Sequence, residues 1–227
     1  MVRVAVIIPA LDEEAAIGQV VAELPPLGAD VVVVDNGSRD ATAELARRAG
    51  ARVISEPRRG YGQACLAGIA ATAGADVVAF LDGDLSDHPG QLTGVLAPIL
   101  AGEADLVIGS RTLGRRAPGA HPWHAVVGTR LSVALMNLLI GTRATDLGPF
   151  RAIRADALAR LGMCDPDYGW TVEMQVKAAR AGLRVVEVPV DYRPRVGRSE
   201  VSGTALGSLR AGAKILAMIA RHALARP

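Results

Sequence analysis

Asp82-Gly-Asp84 closes the apolar run at residues 76–81, Asp-Val-Val-Ala-Phe-Leu. Two carboxylates two residues apart at the C-terminal end of a strand suit a phosphate-bound divalent cation. Mg²⁺ keeps several of its waters and is held by one or two carboxylates together with substrate phosphates. A lone Asp-x-Asp also serves as a solvated turn, so the pair needs company. Three other apolar runs end in polar residues: Pro9-Ala-Leu-Asp-Glu13, Asp35-Asn-Gly-Ser38 and Gly109-Ser-Arg111. Open α/β sheets bind ligands at the carboxyl ends of their strands. Four such ends on one rim favour chemistry on a substrate with a diphosphate leaving group over four unrelated turns.

The single side chains each carry two readings. Asp35 could accept hydrogen bonds from a base or ribose, or cap the turn made by Asn36-Gly37. Arg111 could neutralise a diphosphate through bidentate contacts, or pair with an Asp at the rim. Asp146 and Glu173 lie in otherwise apolar contexts, each a candidate general base, orienting group or satisfied partner of an Arg. Gly60-Tyr-Gly62 either makes a tight helix entry or lets the backbone approach a ligand. The first β-α turn lacks Gly-x-Gly-x-x-Gly, and no P-loop motif occurs, which removes the main signals for dinucleotide and P-loop sites. No His/Cys cluster has zinc spacing, and Ser110 has no evident His/Asp set.

The elements that must position these residues alternate. Residues 2–9, 30–35, 52–54, 76–81 and 104–108 read as strands. Residues 13–24, 40–49 and 62–73, and a segment starting near Pro89, have helical spacing. Ser38 is the expected N-cap of the second helix and Gly50 its stop. This β-α alternation predicts a mostly parallel sheet covered by helices. The second half differs. Residues 112–125 are a Gly/Pro/Arg/His loop, and 123–140 a long apolar helix. Residues 150–154 and 185–192 read as strands flanking a helix over 171–181. A polar loop over 193–204 precedes a last helix over 205–223. One domain over residues 1–204 with a C-terminal helix over 205–227 is the expected organisation.

Half of the 227 residues are hydrophobic, enough for a sizeable core, and the net charge of +2 gives no reason to expect nucleic-acid binding. Only two of the 25 basic residues are lysines, a skew that fits a GC-rich bacterial genome. Cys65 and Cys164 form no Cys-x-x-Cys pattern and read as reduced thiols of a cytoplasmic protein. Residues 2–9 lack the pattern of a signal peptide. No stretch reaches the roughly 18 apolar residues of a spanning helix.

Taken in order, Pro9-Ala-Leu-Asp-Glu13, Val33-Val-Asp-Asn-Gly-Ser38, Asp82-Gly-Asp84, Gly109-Ser-Arg111, Asp146-Leu-Gly-Pro-Phe150 and Glu187-Val-Pro-Val190 resemble family 2 glycosyltransferases. The chain looks most like the branch containing dolichyl-phosphate mannose synthase and similar polyprenyl-phosphate sugar transferases. The resemblance spans nearly the whole chain. It implies an α/β, Rossmann-like GT-A fold with a mostly parallel central sheet, and a nucleoside-diphosphate sugar donor. It also implies a divalent metal, Mg²⁺ or Mn²⁺, on Asp82 and Asp84. Pro9, Ala10, Leu11, Glu13, Asp35, Asn36, Gly62, Asp82, Gly83, Arg195 and Ser199 are the expected nucleotide-sugar-binding residues. Asp84, Arg111, Asp146 and Glu173 are the expected catalytic ones. Two departures stand out: the position of a metal-holding Gln in the mannose synthases is Ser86 here, with Asp87 beside it, and Glu200 replaces a frequent Lys.

The expected reaction is hexosyl transfer to a polyprenyl (lipid) phosphate, whose anionic oxygen needs no strong base. A hydroxyl acceptor would make Asp146 or Glu173 the base. A soluble transferase with a small acceptor, or a silent nucleotide-sugar-binding protein, are the alternatives. The helices over 123–140 and 205–223 carry apolar residues beside basic ones. They could pack on the core, form a homodimer, or lie peripherally on the inner face of the membrane.

Overall fold

The computed structural model describes residues 2–120, 123–197 and 218. The expected helix over 205–223, apart from Met218, and the part of the polar loop beyond residue 197, including Ser199 and Glu200, lie outside the described residues.

Seven strands form one sheet in the order β3-β2-β1-β4-β6-β5-β7. They are β1 (Val4–Ala10), β2 (Asp30–Asp35), β3 (Arg52–Ser55), β4 (Val77–Phe80), β5 (Leu106–Ser110), β6 (Arg151–Arg154) and β7 (Val185–Pro189). All pairings are parallel except those of β6 with β4 and β5. The central strands β1 and β4 read as unbroken apolar runs because helices cover both faces of the sheet. Val6, Ile8 and Ala10 face one core, with α1 (Ile17–Ala22), α2 (Thr42–Arg48) and α4 (Leu92–Leu100). Ile7, on the opposite face, joins the other core with α3 (Tyr61–Ala71), α6 (Ala155–Leu161) and α7 (Trp170–Arg180). A third cluster joins α5 (Trp123–Ile140) to α7 through Val133, Met136, Val172 and Val176, and Met218 packs against it.

Register explains the rim. Ala10 pairs with Asp35, and Ile7 with Phe80, so β1, β2 and β4 all end on one edge. Because β6 runs antiparallel between β4 and β5, its N-terminus meets that same edge. Residues 146–150, which lead into β6, therefore reach the same rim as Asp82.

Several element bounds differ from the sequence expectation for physical reasons. The first helix begins at Ile17. The preceding residues instead zip to the loop after β2: Asp12 N–H donates to Ser38 Oγ (3.0 Å) and Glu13 N–H to Thr42 Oγ1 (2.8 Å). Ser38 is thereby used across the rim, and α2 starts at Thr42 rather than being capped by Ser38. The strand expected over 185–192 ends at Pro189. Helix α6 was not expected from the sequence. Trp170, fully buried, sits edge-on to Phe80 with centroids 4.7 Å apart and to Tyr61 at 6.2 Å. Such pairs contribute about 0.5–1.5 kcal/mol each beyond area burial.

Candidate active site

The rim has an acidic pole and a basic pole. At the acidic pole the turn after β4 holds Asp82, Asp84 and Asp87. Asp84 is nearly buried, and its Oδ1 accepts from Ser86 N–H (2.9 Å) and Ser86 Oγ–H (2.6 Å). Ser86 therefore orients the Asp84 carboxylate. Asp87 is 1% exposed; its Oδ2 is 3.5 Å from the Asp82 N–H, and its Oδ1 has no partner among the described residues. Asp82 Oδ1 is likewise buried without a partner among those residues. Leu85, between these acids, holds φ 64°, a left-handed conformation that disfavours a branched side chain. Only Leu85 and Asp12 do so among described non-glycine residues, and both are rim residues. Backbone strain of this kind gathers at functional sites.

The charges push one another. Burial first, then Asp84, raise the Asp82 carboxyl to about 7, while the Tyr61 phenol and the Arg111 and Arg195 cations pull against the rise. Burial and the Asp82 charge push Asp87 well above the usual carboxylate range. Glu13 rises to about 8, through burial and the nearby Asp84 and Asp82, despite its pairing with Arg195. Arg195 Nη2 is 2.7 Å from Glu13 Oε1, and its Nη1 is 3.5 Å from Asp84 Oδ2. The segment carrying it straps the acidic turn: Arg193 N–H donates to Ser86 O (3.0 Å) and Val196 N–H to Asp84 O (2.9 Å). Arg193 also pairs with Glu23 at 2.7 Å.

At the basic pole Arg111 is clamped by Asp146. Its Nε–H, Nη2–H and backbone N–H donate to that carboxylate at 2.8, 2.7 and 2.9 Å. Burial pushes the Asp146 carboxyl up, but the Arg111 hydrogen bonds and charge outweigh it and hold it below its ordinary value. Leu147 N–H adds a further bond to Asp146 Oδ1, at 2.7 Å. The Tyr192 ring lies 5.1 Å from the Arg111 guanidinium carbon, within cation–π range.

Glu173 sits on α7, 1% exposed, and both its oxygens are used. They accept from Cys164 N–H and Asp165 N–H (2.8 Å), and Oε1 pairs with Lys177 at 2.6 Å. Burial raises its carboxyl, and the Lys177 and backbone hydrogen bonds bring it below its ordinary value. The structure thus brings Asp146 to the rim as the partner of Arg111. It sets Glu173 to hold the 164–165 loop. Neither carboxylate keeps an oxygen without a hydrogen-bonding partner.

The remaining expected residues divide the same way. Pro9 and Ala10 end β1, and Leu11 follows at the rim. Gly83 packs between Pro9 and Ile17. Asp35 Oδ1 accepts from Ser38 N–H (3.1 Å), so it does cap its own turn, while the residue stays half-exposed at the rim. Asn36 is consumed by framework: its amide donates to Glu56 O and Arg58 O, both 2.8 Å, and its carbonyl accepts from Gly60 N–H. Gly62 is needed for a close approach, but to protein. A Cβ there would meet Asp165 O at 2.1 Å. Tyr61, Tyr192 and Arg193 were not singled out in the sequence. The run Asp191-Tyr-Arg-Pro-Arg195 directly after β7 was the available signal for the last two.

A cation fits this donor set. Hard divalent ions take carboxylate oxygens, and the turn offers buried carboxylate oxygens, Asp82 Oδ1 and Asp87 Oδ1, without partners among the described residues. Among the described residues no three His, Cys, Asp or Glu side chains form a ready-made cage.

Residues 5–162 match the model of glycosyl transferase family 2. A glycosyltransferase of Mycobacterium tuberculosis is 44% identical over 212 residues, covering 91% of this chain and 93% of that protein. An undecaprenyl-phosphate mannosyltransferase of Micrococcus luteus is 33% identical over 198 residues, 78% of each chain. Among solved structures, the glucosyl-3-phosphoglycerate synthase of Mycobacterium tuberculosis, bound to Mn²⁺, UDP and glucosyl-3-phosphoglycerate, superposes with a TM-score of 0.77. It is 26% identical, covering 99% of this chain and 81% of that one. The sheet with its helices is the expected GT-A arrangement, and the chain belongs to glycosyl transferase family 2 and is a glycosyltransferase.

Proposed function

We propose that this enzyme moves a hexose from a nucleoside-diphosphate sugar to the phosphate oxygen of a polyprenyl phosphate. One observation carries the choice of an anionic acceptor. Asp146 and Glu173, the two candidate bases, are saturated by Arg111, Lys177 and backbone N–H groups. A phosphate oxygen is already anionic near neutral pH and needs no such base.

Asp82 and Asp84 would hold a divalent cation together with the donor diphosphate, and Mn²⁺ accompanies UDP in the related synthase. Such a cation offsets charge on the leaving diphosphate as a Lewis acid. Arg111 contributes a fixed guanidinium where that charge develops. Arg195 now pairs with Glu13 and Asp84, and a diphosphate competes for the same guanidinium. Pro9, Ala10, Leu11 and Asp35 form the wall for base and ribose. The lipid tail finds support in α5, whose Val127, Leu131, Leu138 and Leu139 side chains are exposed, with Arg130 the sole charge over residues 126–140. Among the described residues no helix is long and apolar enough to cross a membrane. The proposed placement is peripheral, at the cytoplasmic surface, with the exposed apolar side chains of α5 toward the lipid.

A second reading, transfer to a small phosphorylated acid, is favoured by the likeness to the phosphoglycerate-using synthase. Transfer of radiolabelled hexose, with Mn²⁺, to undecaprenyl phosphate in detergent and to 3-phosphoglycerate separates the two. Label entering the organic phase supports the lipid acceptor. Label entering only the water-soluble acceptor selects the second reading.

A further inference from the structure

Arg151 is a cation that the reaction described so far does not use. It opens β6 and is fully buried. In register it lies between Phe80 of β4 and Ile108 of β5, the strands that lead to Asp82 and Arg111. Its guanidinium is held by main-chain carbonyls. Nε–H donates to Gly148 O (3.1 Å), Nη1–H to Thr171 O (2.9 Å), and Nη2–H to Leu147 O (3.4 Å) and again to Gly148 O. The Trp170 ring is 6.0 Å from its guanidinium carbon. Among the described residues no carboxylate pairs with it.

A buried charge without an opposite charge is costly. Burial accordingly pulls the Arg151 pKa down to about 10, which leaves the group charged at neutral pH. What the cost supports is visible next door. The Leu147 and Gly148 carbonyls follow Asp146, whose carboxylate clamps Arg111. Gln175 Nε2–H holds the Asp146 carbonyl at 3.0 Å. Gly148 is pressed against Gly109 O, which a Cβ would meet at 2.8 Å. A rigid planar fork reaches carbonyls of two segments at once, which a Lys ammonium, a point charge on a flexible stem, does not reproduce.

We infer that Arg151 is a positioning residue whose guanidinium locks the 146–148 backbone and so fixes Asp146 and the aim of Arg111. Its consequence for the substrate rests on the proposed reading that Arg111 faces the donor diphosphate.

Two measurements test this on full-length Arg151→Lys, chosen because it keeps the charge and the stem. The first needs no ligand: hydrogen exchange of the Arg111 Nε–H by NMR. It should speed up about tenfold or more when the 146–148 backbone loosens, with the melting transition still cooperative. Unchanged exchange overturns the inference. The second is calorimetric binding of UDP in Mn²⁺ to wild type, Arg151→Lys, Arg111→Ala and the double variant. Loss of orienting partners typically costs about 10–100-fold. Arg151→Lys should therefore weaken UDP about tenfold, and the double variant should bind no worse than Arg111→Ala. Multiplying effects overturn action through Arg111. Wild-type protein that binds no UDP refutes the donor reading, while the exchange measurement still decides whether Arg151 positions Arg111.

Discussion

At the acidic pole of the rim, Asp82 Oδ1, Asp87 Oδ1 and Glu13 Oε2 are buried without a hydrogen-bond partner among the described residues. At the basic pole, both oxygens of Asp146 accept bonds, from Arg111 and Leu147. Both poles stand at strand ends of one sheet and both are rich in charge, yet they are finished differently. A buried polar group without a partner costs free energy, on the order of 1–3 kcal/mol and more when charged. Leaving several at one place is tolerable where a ligand completes them. The saturated pole is framework that presents a guanidinium. Under the proposed function, the unsaturated pole is where the cation and its diphosphate would bind.

The hardest break is at the unsaturated pole. Asp84→Ala should lower donor turnover by on the order of 10²–10³-fold, as loss of an electrostatic stabiliser does, with the melting temperature little changed. A steady-state assay of donor hydrolysis beside a thermal melt checks both halves. At the saturated pole the damage should move from activity to stability. Asp146→Ala strands a buried Arg111, and breaking a buried pair from one side costs about 3–5 kcal/mol. Urea titration reads that loss; a variant as stable as wild type would mean that the clamp carries no structural burden.

The poles should also differ with pH. Glu13 and Asp82 have folded-state pKa values raised to about 8 and about 7. A carboxyl raised on folding contributes stability that is full below its unfolded value, roughly 4. That contribution fades as pH climbs through 7 and 8. The protein without cation should therefore melt lower at pH 8 than at pH 5.5 from this source. Protons compete with a cation for the same oxygens, so the stabilisation added by Mn²⁺ and UDP should grow over that range. An increment that shrinks with rising pH would contradict the assignment. Asp146 and Glu173, held below the ordinary carboxylate range, should add no step between pH 5.5 and 8.

Smaller effects sharpen the contrast. Arg195→Gln should weaken UDP by about fivefold, the scale of a partly exposed ion pair. Arg48→Ala removes only an exposed pair with Glu44 on α2, and should stay within about 0.5 kcal/mol of wild type.

The two poles were not equally legible in the sequence. Asp82 and Asp84 announce themselves because their spacing and the strand before them are local. The parallel strands β1, β2 and β4 follow from unbroken apolar runs. The antiparallel insertion of β6 between β4 and β5 is a matter of strand order, which no local pattern encodes, and it is what brings Asp146 to the rim. Asn36 reads as part of a turn and Glu173 as a polar residue in an apolar context, but their partners, the 56–60 loop and the 164–165 backbone, come together only on folding. Helix α6 escaped because seven residues rich in Ala give little periodic signal. Arg195 was found through family resemblance. Its partner Glu13 lies 182 positions away.

The most direct test of the central claim, that the unsaturated pole receives a cation-bound diphosphate, is calorimetric titration of UDP into wild type and Asp84→Ala, with Mn²⁺ and with EDTA. The account predicts binding by wild type in Mn²⁺, and none in EDTA or in the variant under either condition. Equal affinity in EDTA, or undiminished binding by Asp84→Ala, would contradict it.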